Sequence, residues 1–442
     1  MQSAIPAESG WSLQEPLRAF IGVAILCLIA WALSSNRRRI PWRVVVGGLG
    51  LQLLLAGLIL GVPATAAAFD WLARQVATAI GMADAGSAFL FGPLAAPDGP
   101  AGFVFAFRVL PVIVYFAAVM AALYHLGIMQ RVVAGMAWVM RRTLGVSGAE
   151  SLTVAANVLV GQTEAPLCVK PFLPRMTRSQ LMVVMTGGFA TIAGSVLAGY
   201  VDFLGGADEA ARNRFAKHLL TASVMSAPAA FVMAKLMLPE TEAEPRETIE
   251  AQAIDQRRAS NVLDAVVMGA TEGLKLALNV GAMLVAFIAI LALLDWPLEA
   301  LSETEWIASW RANHGYGPWS VQGGLGILFQ PVAWCIGAPV ADIPQVGRLL
   351  GTSIVATEFV AYADLRTMIA DGTISTRGVT VVTYALCGFA NIPSMAIQIG
   401  GLGAIAPERR SEFSSLAPRA MLAGALACWS TAAIASAIVG PG

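Results

Sequence analysis

Two Thr-Glu pairs stand inside apolar sequence, Thr163-Glu164 and Thr357-Glu358. Each is followed by the same tripeptide, Gly188-Phe189-Ala190 in GFATIAGS and Gly388-Phe389-Ala390 in GFANIPSM. A carboxylate accepts hydrogen bonds, a hydroxyl donates and accepts, and an amide such as Asn391 does both. At membrane depth such groups are expensive: a charge at the bilayer centre costs at least about 2.5–3.5 kcal/mol. Ionisable and small polar residues repeated in two halves of an apolar chain point to a transporter's midplane site.

The local sequence shows how each copy could be presented. In TVAANVLVGQTEAPLCVK (Thr153–Lys170), Gly161 permits a tight turn and Pro166 can open a new helix, which makes Gln162, Thr163 and Glu164 a hairpin tip. The plainer alternative puts that tip at the surface, among headgroups. In TSIVATEFVAYAD (Thr352–Asp364), Glu358 has no basic residue within four positions. It needs a distant partner, a ligand or a proton; the alternative is a neutral acid hydrogen-bonded to another helix. In the GFA segments, Pro393 removes a backbone donor and is expected to kink or break its helix, and Gly194 loosens the other. Broken membrane helices expose carbonyls and amide hydrogens that bind cations and polar solutes. Small-residue helix packing is the bland reading of the same residues.

Other segments carry less. The Gly-rich run Ile397–Arg410 follows no strand, so it is weak as a nucleotide signal and reads as the flexible cytoplasmic end of the seventh helix. Glu272 and Lys275 stand three apart and should pair on a helix, while Arg108, Asp264 and Asp342 read as structural or interfacial. The five cysteines (Cys27, Cys168, Cys335, Cys387, Cys428) have neither disulfide nor zinc spacing and read as small buried hydrophobes. His125, His218 and His314 are isolated, so metal chemistry is not indicated.

The elements that must position these residues follow from composition. The chain has 442 residues, 57% hydrophobic and 13% charged, with a mean hydropathy of +0.70. That is too little polar surface for a soluble protein, and zero net charge implies no nucleic-acid partner. Apolar runs near 17–34, 44–62, 103–126, 180–203, 217–237, 274–295, 376–399 and 415–440 predict about eight spanning helices. Interrupted segments near 149–178 and 320–365 predict two re-entrant hairpins, and 64–82 an interfacial amphipathic helix. Residues 1–16 carry Glu8 and Glu15 without a basic n-region, so the first run is expected to remain a membrane helix.

Basic residues orient the spans. Asn36–Arg43, then Arg131, Arg141 and Arg142, then Lys235, Arg246, Arg257 and Arg258, then Arg409 and Arg410 share one side, the cytoplasm, if the hairpins enter from opposite faces. Both termini are then outside, and the two units form an inverted repeat. The expected division is 1–102, scaffold helices and interfacial helix; 103–148, third span and amphipathic segment; 149–239, first repeat. The rest is 240–318, polar linker (Glu240–Asn261) and sixth helix, and 319–442, second repeat. The fold class is an all-α integral membrane protein with discontinuous helices.

At GQTEAP, TEFVAY and GFANIPSMAIQIGGLG the sequence resembles the concentrative nucleoside transporter family, in the family's order of blocks and from about Phe103 to the C-terminus. It departs at Thr357, where the family usually has Asn, at Ser353, where Lys is usual, and at Pro393, where Ser is common. These departures bear on substrate preference rather than class. The resemblance implies a homotrimer in the cell inner membrane, with a mobile transport part working against a scaffold. It implies that Gln162, Thr163 and Glu164 face a nucleobase, that Glu358, Asn391 and Ser394 hold ribose hydroxyls, and that Phe389 and Val196 adjoin the substrate. It further implies a sodium site at the Asn157 side chain, the Val160 carbonyl, the Thr191 hydroxyl and the Ile192 carbonyl. Other members couple to protons, a role open here to Glu164 or Glu358. No cofactor is implied; the partners are a nucleoside, the coupling ion, membrane lipid and further copies of the chain.

Two other classes compete. An intramembrane enzyme needs a nucleophile–base pair or a metal triad, and the chain has no HExxH or GxSxG. A channel needs only a lined pore, but an asymmetric set of hydrogen-bonding groups suits a polar solute better than ion flow.

Overall fold

The computed structural model describes residues 14–96, 104–242, 259–314 and 319–439. Most of the polar linker, including Arg246, Arg257 and Arg258, lies outside the described residues. Those described are helical, with no strand among them.

The chain begins with α1 (Gln14–Ala32) and α2 (Trp42–Ala56), the latter extended by a wider turn to Gly61. The segment expected to be interfacial forms α3 (Pro63–Gly81), followed by α4 (Ala83–Phe91). Next come α5 (Phe105–His125) and α6 (Ile128–Leu144), the latter bracketed by Gly127 and Gly145 at φ 75° and 69°, left-handed geometry that favours glycine. Then come α7 (Gly148–Asn157), short 3-10 turns at Ala165–Val169 and Leu173–Arg175, α8 (Arg178–Ala190), α9 (Gly194–Gly205) and α10 (Glu209–Met237). The second half runs α11 (Val262–Ser302), α12 (Glu305–His314), α13 (Val321–Cys335), α14 (Ile343–Val355), α15 (Glu358–Ala370), α16 (Thr376–Ala385), α17 (Ile392–Ile405) and α18 (Arg410–Ile438). Each half thus orders a hairpin, an interrupted helix and a 29-residue helix, the last being α10 and α18.

Among the described residues six stretches are long and apolar enough to cross a membrane: Trp42–Gly61, Phe105–His125, Arg178–Gly205, Glu209–Met237, Val262–Ser302 and Pro407–Ile438. Pro16–Ala32 and Ile392–Ile405 are shorter apolar helices. Burial separates centre from periphery. The Arg178–Gly205 stretch is 94% buried and that of α10 89%, against 33% for α5 and 11% for α11. Helices α5 and α11 pack on each other, with Gly269 and Gly273 against Val114, Ala117 and Ala118, too close to admit a Cβ.

Three details differ from the sequence expectation. The second hairpin is α14 and α15, with its tip at Ala356-Thr357, and it follows a separate helix, α13, along which α14 packs. Pro393 does not kink a helix from within. It sits in the first turn of α17, where no backbone donor is required, and the interruption precedes it at residues 386–391. The Gly-rich run is regular helix up to Ile405, and a Cβ at Gly401 would come within 2.7 Å of the Thr163 side chain.

One buried and one half-buried ion pair hold the first hairpin at its base. Capping boxes Ser147/Glu150 and Thr177/Gln180 start α7 and α8. Lys235 of α10 joins them, 2.6 Å from Glu150 and 3.0 Å from the Ser179 hydroxyl. From α17's far end, Arg409 donates to the carbonyls of Leu173 and Met176 and pairs with Glu412 at 2.6 Å. Arg108 is buried against Asp202 (3.2 Å), which also takes Arg212 (2.9 Å), so its structural reading holds. Glu272 and Lys275 pair at 2.8 Å on the exposed face of α11.

Candidate functional site

The Thr357 hydroxyl accepts from the Val360 amide and starts α15, which makes Glu358 the first residue of that helix. The Asn391 side-chain oxygen Oδ1 accepts from the Ser394 amide (2.8 Å) and starts α17 in the same way. The two helix N-termini meet. Asn391 Nδ2 donates to Glu358 Oε2 at 2.6 Å, and the Tyr200 hydroxyl on α9 donates to Oε1 at 2.6 Å. Glu358 is 3% exposed. Burying a carboxylate is costly, and here two neutral donors and the positive ends of two half-helices offset that cost. Phe359 and Tyr362 flank Tyr200 at ring separations of 4.6 and 4.7 Å and fix its position. A carboxylate so held keeps lone pairs for further donors, such as hydroxyls of a bound solute.

The first half is built with the opposite polarity. Helix α7 ends at Asn157 and α8 at Ala190, so two C-termini, the negative ends, face the same region. Both polar atoms of the Asn157 side chain are buried without a hydrogen-bond partner. A Cβ at Gly187 would lie 3.5 Å from Asn157 Nδ2, and the Gly187 carbonyl accepts from the Thr191 hydroxyl at 2.9 Å. The Leu159 carbonyl accepts from the Gly194 amide (3.0 Å), which fastens the hairpin turn to the start of α9. Val160 and Ile192, both buried, flank that link. The donor set is amide, hydroxyl and carbonyl oxygen, and no group of three or more His, Cys, Asp or Glu gathers for a metal among the described residues. An orphaned buried amide among oxygen donors at two helix C-termini suits a hard monovalent cation.

Between the two halves lie Gln162 and Gln398. Gly188 separates them, and its missing Cβ is what lets them approach: a Cβ there would stand 2.4 Å from Gln398 Nε2 and 2.8 Å from Gln162 Cβ. Gln398 Nε2 donates to the Met185 carbonyl (3.0 Å), while Oε1 of both glutamines is buried without a donor. The two GFA segments cross at this depth. A Cβ at Gly388 would be 2.5 Å from the Phe189 carbonyl. The Cys428 thiol lies 3.3 Å from the Ala190 carbonyl and 2.9 Å from that of Cys387, one from each helix break. It is thus a hydrogen-bond donor to the interruptions as well as a small buried side chain.

Of the residues singled out from sequence, Glu358, Asn391 and Ser394 form one bonded set, and Asn157 and Thr191 meet at Gly187. Gln162 and Thr163 face α8 and α17. The Phe389 carbonyl accepts from the Asn391 amide at 2.9 Å. Glu164 is exposed in its turn, Val196 is buried on α9, and Phe389 is half-buried within the break. Tyr200 and Gln398 escaped the sequence reading. Gln398 had a signal: Asn391, Ser394 and Gln398 recur at i, i+3 and i+7, one face of a helix. Tyr200 lies four residues after Val196, but nothing local marked it as a donor to Glu358.

Three family models match the chain: Na+ dependent nucleoside transporter N-terminus over residues 21–94, Nucleoside recognition over 106–207, and Na+ dependent nucleoside transporter C-terminus over 218–436. The chain is 41% identical to an uncharacterized transporter of Haemophilus influenzae, covering 96% of this chain and 98% of that one. It is 40% identical to human solute carrier family 28 member 3 and 39% identical to mouse sodium/nucleoside cotransporter 1. It covers 96% and 97% of its own length in these matches but spans only 60% and 64% of theirs. Among solved structures, CNTnw in an inward-facing substrate-bound state superposes with a TM-score of 0.86 at 38% identity, covering 96% of this chain and 98% of that one. A variant of CNTnw in an outward-facing state gives 0.85 at 37% identity, covering 96% and 97%.

Proposed function

We propose, since this chain belongs to the Na+ dependent nucleoside transporter family, that it is a sodium-coupled symporter importing nucleosides by alternating access. It is a transporter rather than an enzyme, as its relatives are. The observation that carries the specific reading is the pair of opposed half-sites. Glu358 and Asn391 sit at converging helix N-termini, and an unpartnered Asn157 sits at converging C-termini.

In this mechanism the Glu358 carboxylate accepts from vicinal ribose hydroxyls while Tyr200 and Asn391 hold it in place. Ser394, one turn along α17, offers a hydroxyl to the sugar. Gln162 and Thr163 at the hairpin tip, together with Glu164, meet the base, with Val196 and Phe389 as apolar walls. Sodium, carried as a second substrate, is held by the Asn157 side chain, the Val160 and Ile192 carbonyls and the Thr191 hydroxyl. Filling that position ties the end of α7 to the break after α8, and so sets Gln162 against Gly188. Substrate then binds tightly only when the ion is present, and the coupling is reciprocal. The chain works as a homotrimer in the inner membrane, with both termini outside.

The test is equilibrium binding of labelled uridine to the purified protein at zero and saturating sodium, with choline as replacement. Sodium should tighten binding at least about tenfold, an ordinary coupling of 1–3 kcal/mol. Equal affinity in the two salts would remove sodium from the site.

A further inference from the structure

A second polar site lies away from the transport path, where α2 begins and α6 ends. Arg43, Trp138, Arg141 and Arg142 line a cavity of about 420 Å³. Trp138, Arg141 and Arg142 stand at i, i+3 and i+4 and so share one face of α6. Arg43 comes from the first turn of α2 and lies across the end of α6. A Cβ at Gly145 would come within 2.5 Å of the Arg43 guanidinium, so a glycine with left-handed φ is what lets the two approach. Among the described residues none of the three arginines ion-pairs with a carboxylate. The nearest acid in sequence after Arg142 is Glu150, which is already paired with Lys235 at 2.6 Å.

The surroundings fix the place of this site as a membrane edge. Arg43 is the second residue of a stretch long and apolar enough to span. Only Leu126 and Gly127 separate α6 from the spanning α5. Ile128, Val132 and Trp138 of α6, with Trp42 beside Arg43, are exposed large apolar side chains. An amphipathic helix with exposed tryptophan and arginine lies at headgroup level. The unpaired arginines attract anions there, and basic pockets between membrane helices take phosphate-bearing headgroups.

We propose that this cavity binds the headgroup of an anionic phospholipid, with the guanidinium groups on its phosphate and Trp42 and Trp138 beside its glycerol and upper acyl chains. Free phosphate would satisfy the arginines but would leave the indoles and the apolar face of α6 without a role, so the occupant is lipid. The bound lipid anchors the arm that joins α5 to the hairpin beginning at α7.

The test is native mass spectrometry and thermal melting of the purified, delipidated full chain in neutral detergent. The probes are phosphatidylglycerol, phosphatidylcholine and inorganic phosphate. Phosphatidylglycerol should bind and raise the melting temperature, and the other two should not. Arg43→Gln, Arg141→Gln and Arg142→Gln should each weaken phosphatidylglycerol binding about fivefold, and the triple variant more than tenfold. The single variants lie at exposed positions, so they keep the test open should the triple variant misfold. Equal stabilisation by phosphatidylcholine, full stabilisation by phosphate alone, or unchanged binding in all the single variants would overturn the proposal.

Discussion

At Thr357-Glu358 the backbone enters a helix, so the threonine caps α15 and the glutamate lies buried at its N-terminus, bonded to Tyr200 and Asn391. At Thr163-Glu164 the backbone stays in an irregular turn. There the threonine packs against Gly401 and the glutamate is exposed, while the neighbouring Gln162 carries an unpartnered oxygen. The second half therefore brings its own anion and satisfies it with neutral donors at positive helix ends. The first half gathers acceptors at negative helix ends and leaves the Asn157 side chain among them without a partner. A repeated motif thus yields a satisfied carboxylate at converging helix N-termini on one side and an unpartnered amide at converging C-termini on the other. The two are joined through the crossing of the GFA segments at Phe189 and Gly388.

With that polarity, removing the anion should do the most damage. Glu358→Gln keeps the shape but loses a charged acceptor with two bonds, and uridine uptake should fall at least about hundredfold in protein that still elutes as a folded species. Near-normal uptake would detach the second half from the substrate. Tyr200→Phe removes one donor and leaves its ring packing, so a loss of about tenfold in apparent uridine affinity is expected. No change would mean that Asn391 alone holds the carboxylate.

The first half should respond to sodium rather than to substrate directly. Asn157→Ala is expected to raise the sodium concentration for half-maximal uptake about tenfold, with a smaller change in uridine affinity at saturating sodium. An unaltered sodium curve would leave the orphaned amide without a ligand. The smallest effect belongs between the halves: Gln398→Leu should weaken uridine binding severalfold with the sodium curve unmoved, if its free oxygen faces the solute. A shift in both together would place Gln398 with the packing of α8 instead.

Much of this arrangement could be read before the fold was known. Apolar runs located most of the long helices, and Gly161 and Pro166 the turn after α7, because turn residues and apolar runs are local signals; the second hairpin is expected over 320–365, and α13 lies within that range as a separate helix. What could not be read was convergence. Lys235 meets Glu150 across 85 positions (235 − 150), and Tyr200 meets Glu358 across 158. Neither partner carries a local mark of the other. Pro393 misled for a related reason. Its missing donor is disruptive within a helix but harmless in a first turn, and only the capping by Asn391 shows which applies.

The most direct measurement is uptake of labelled uridine into proteoliposomes holding the purified protein, with sodium and proton gradients imposed separately. Sodium coupling through the Asn157 half-site predicts accumulation above equilibrium when sodium is high outside and at pH balance, with a protonophore making no difference. Accumulation that follows the proton gradient, ignores sodium and collapses with the protonophore would contradict it.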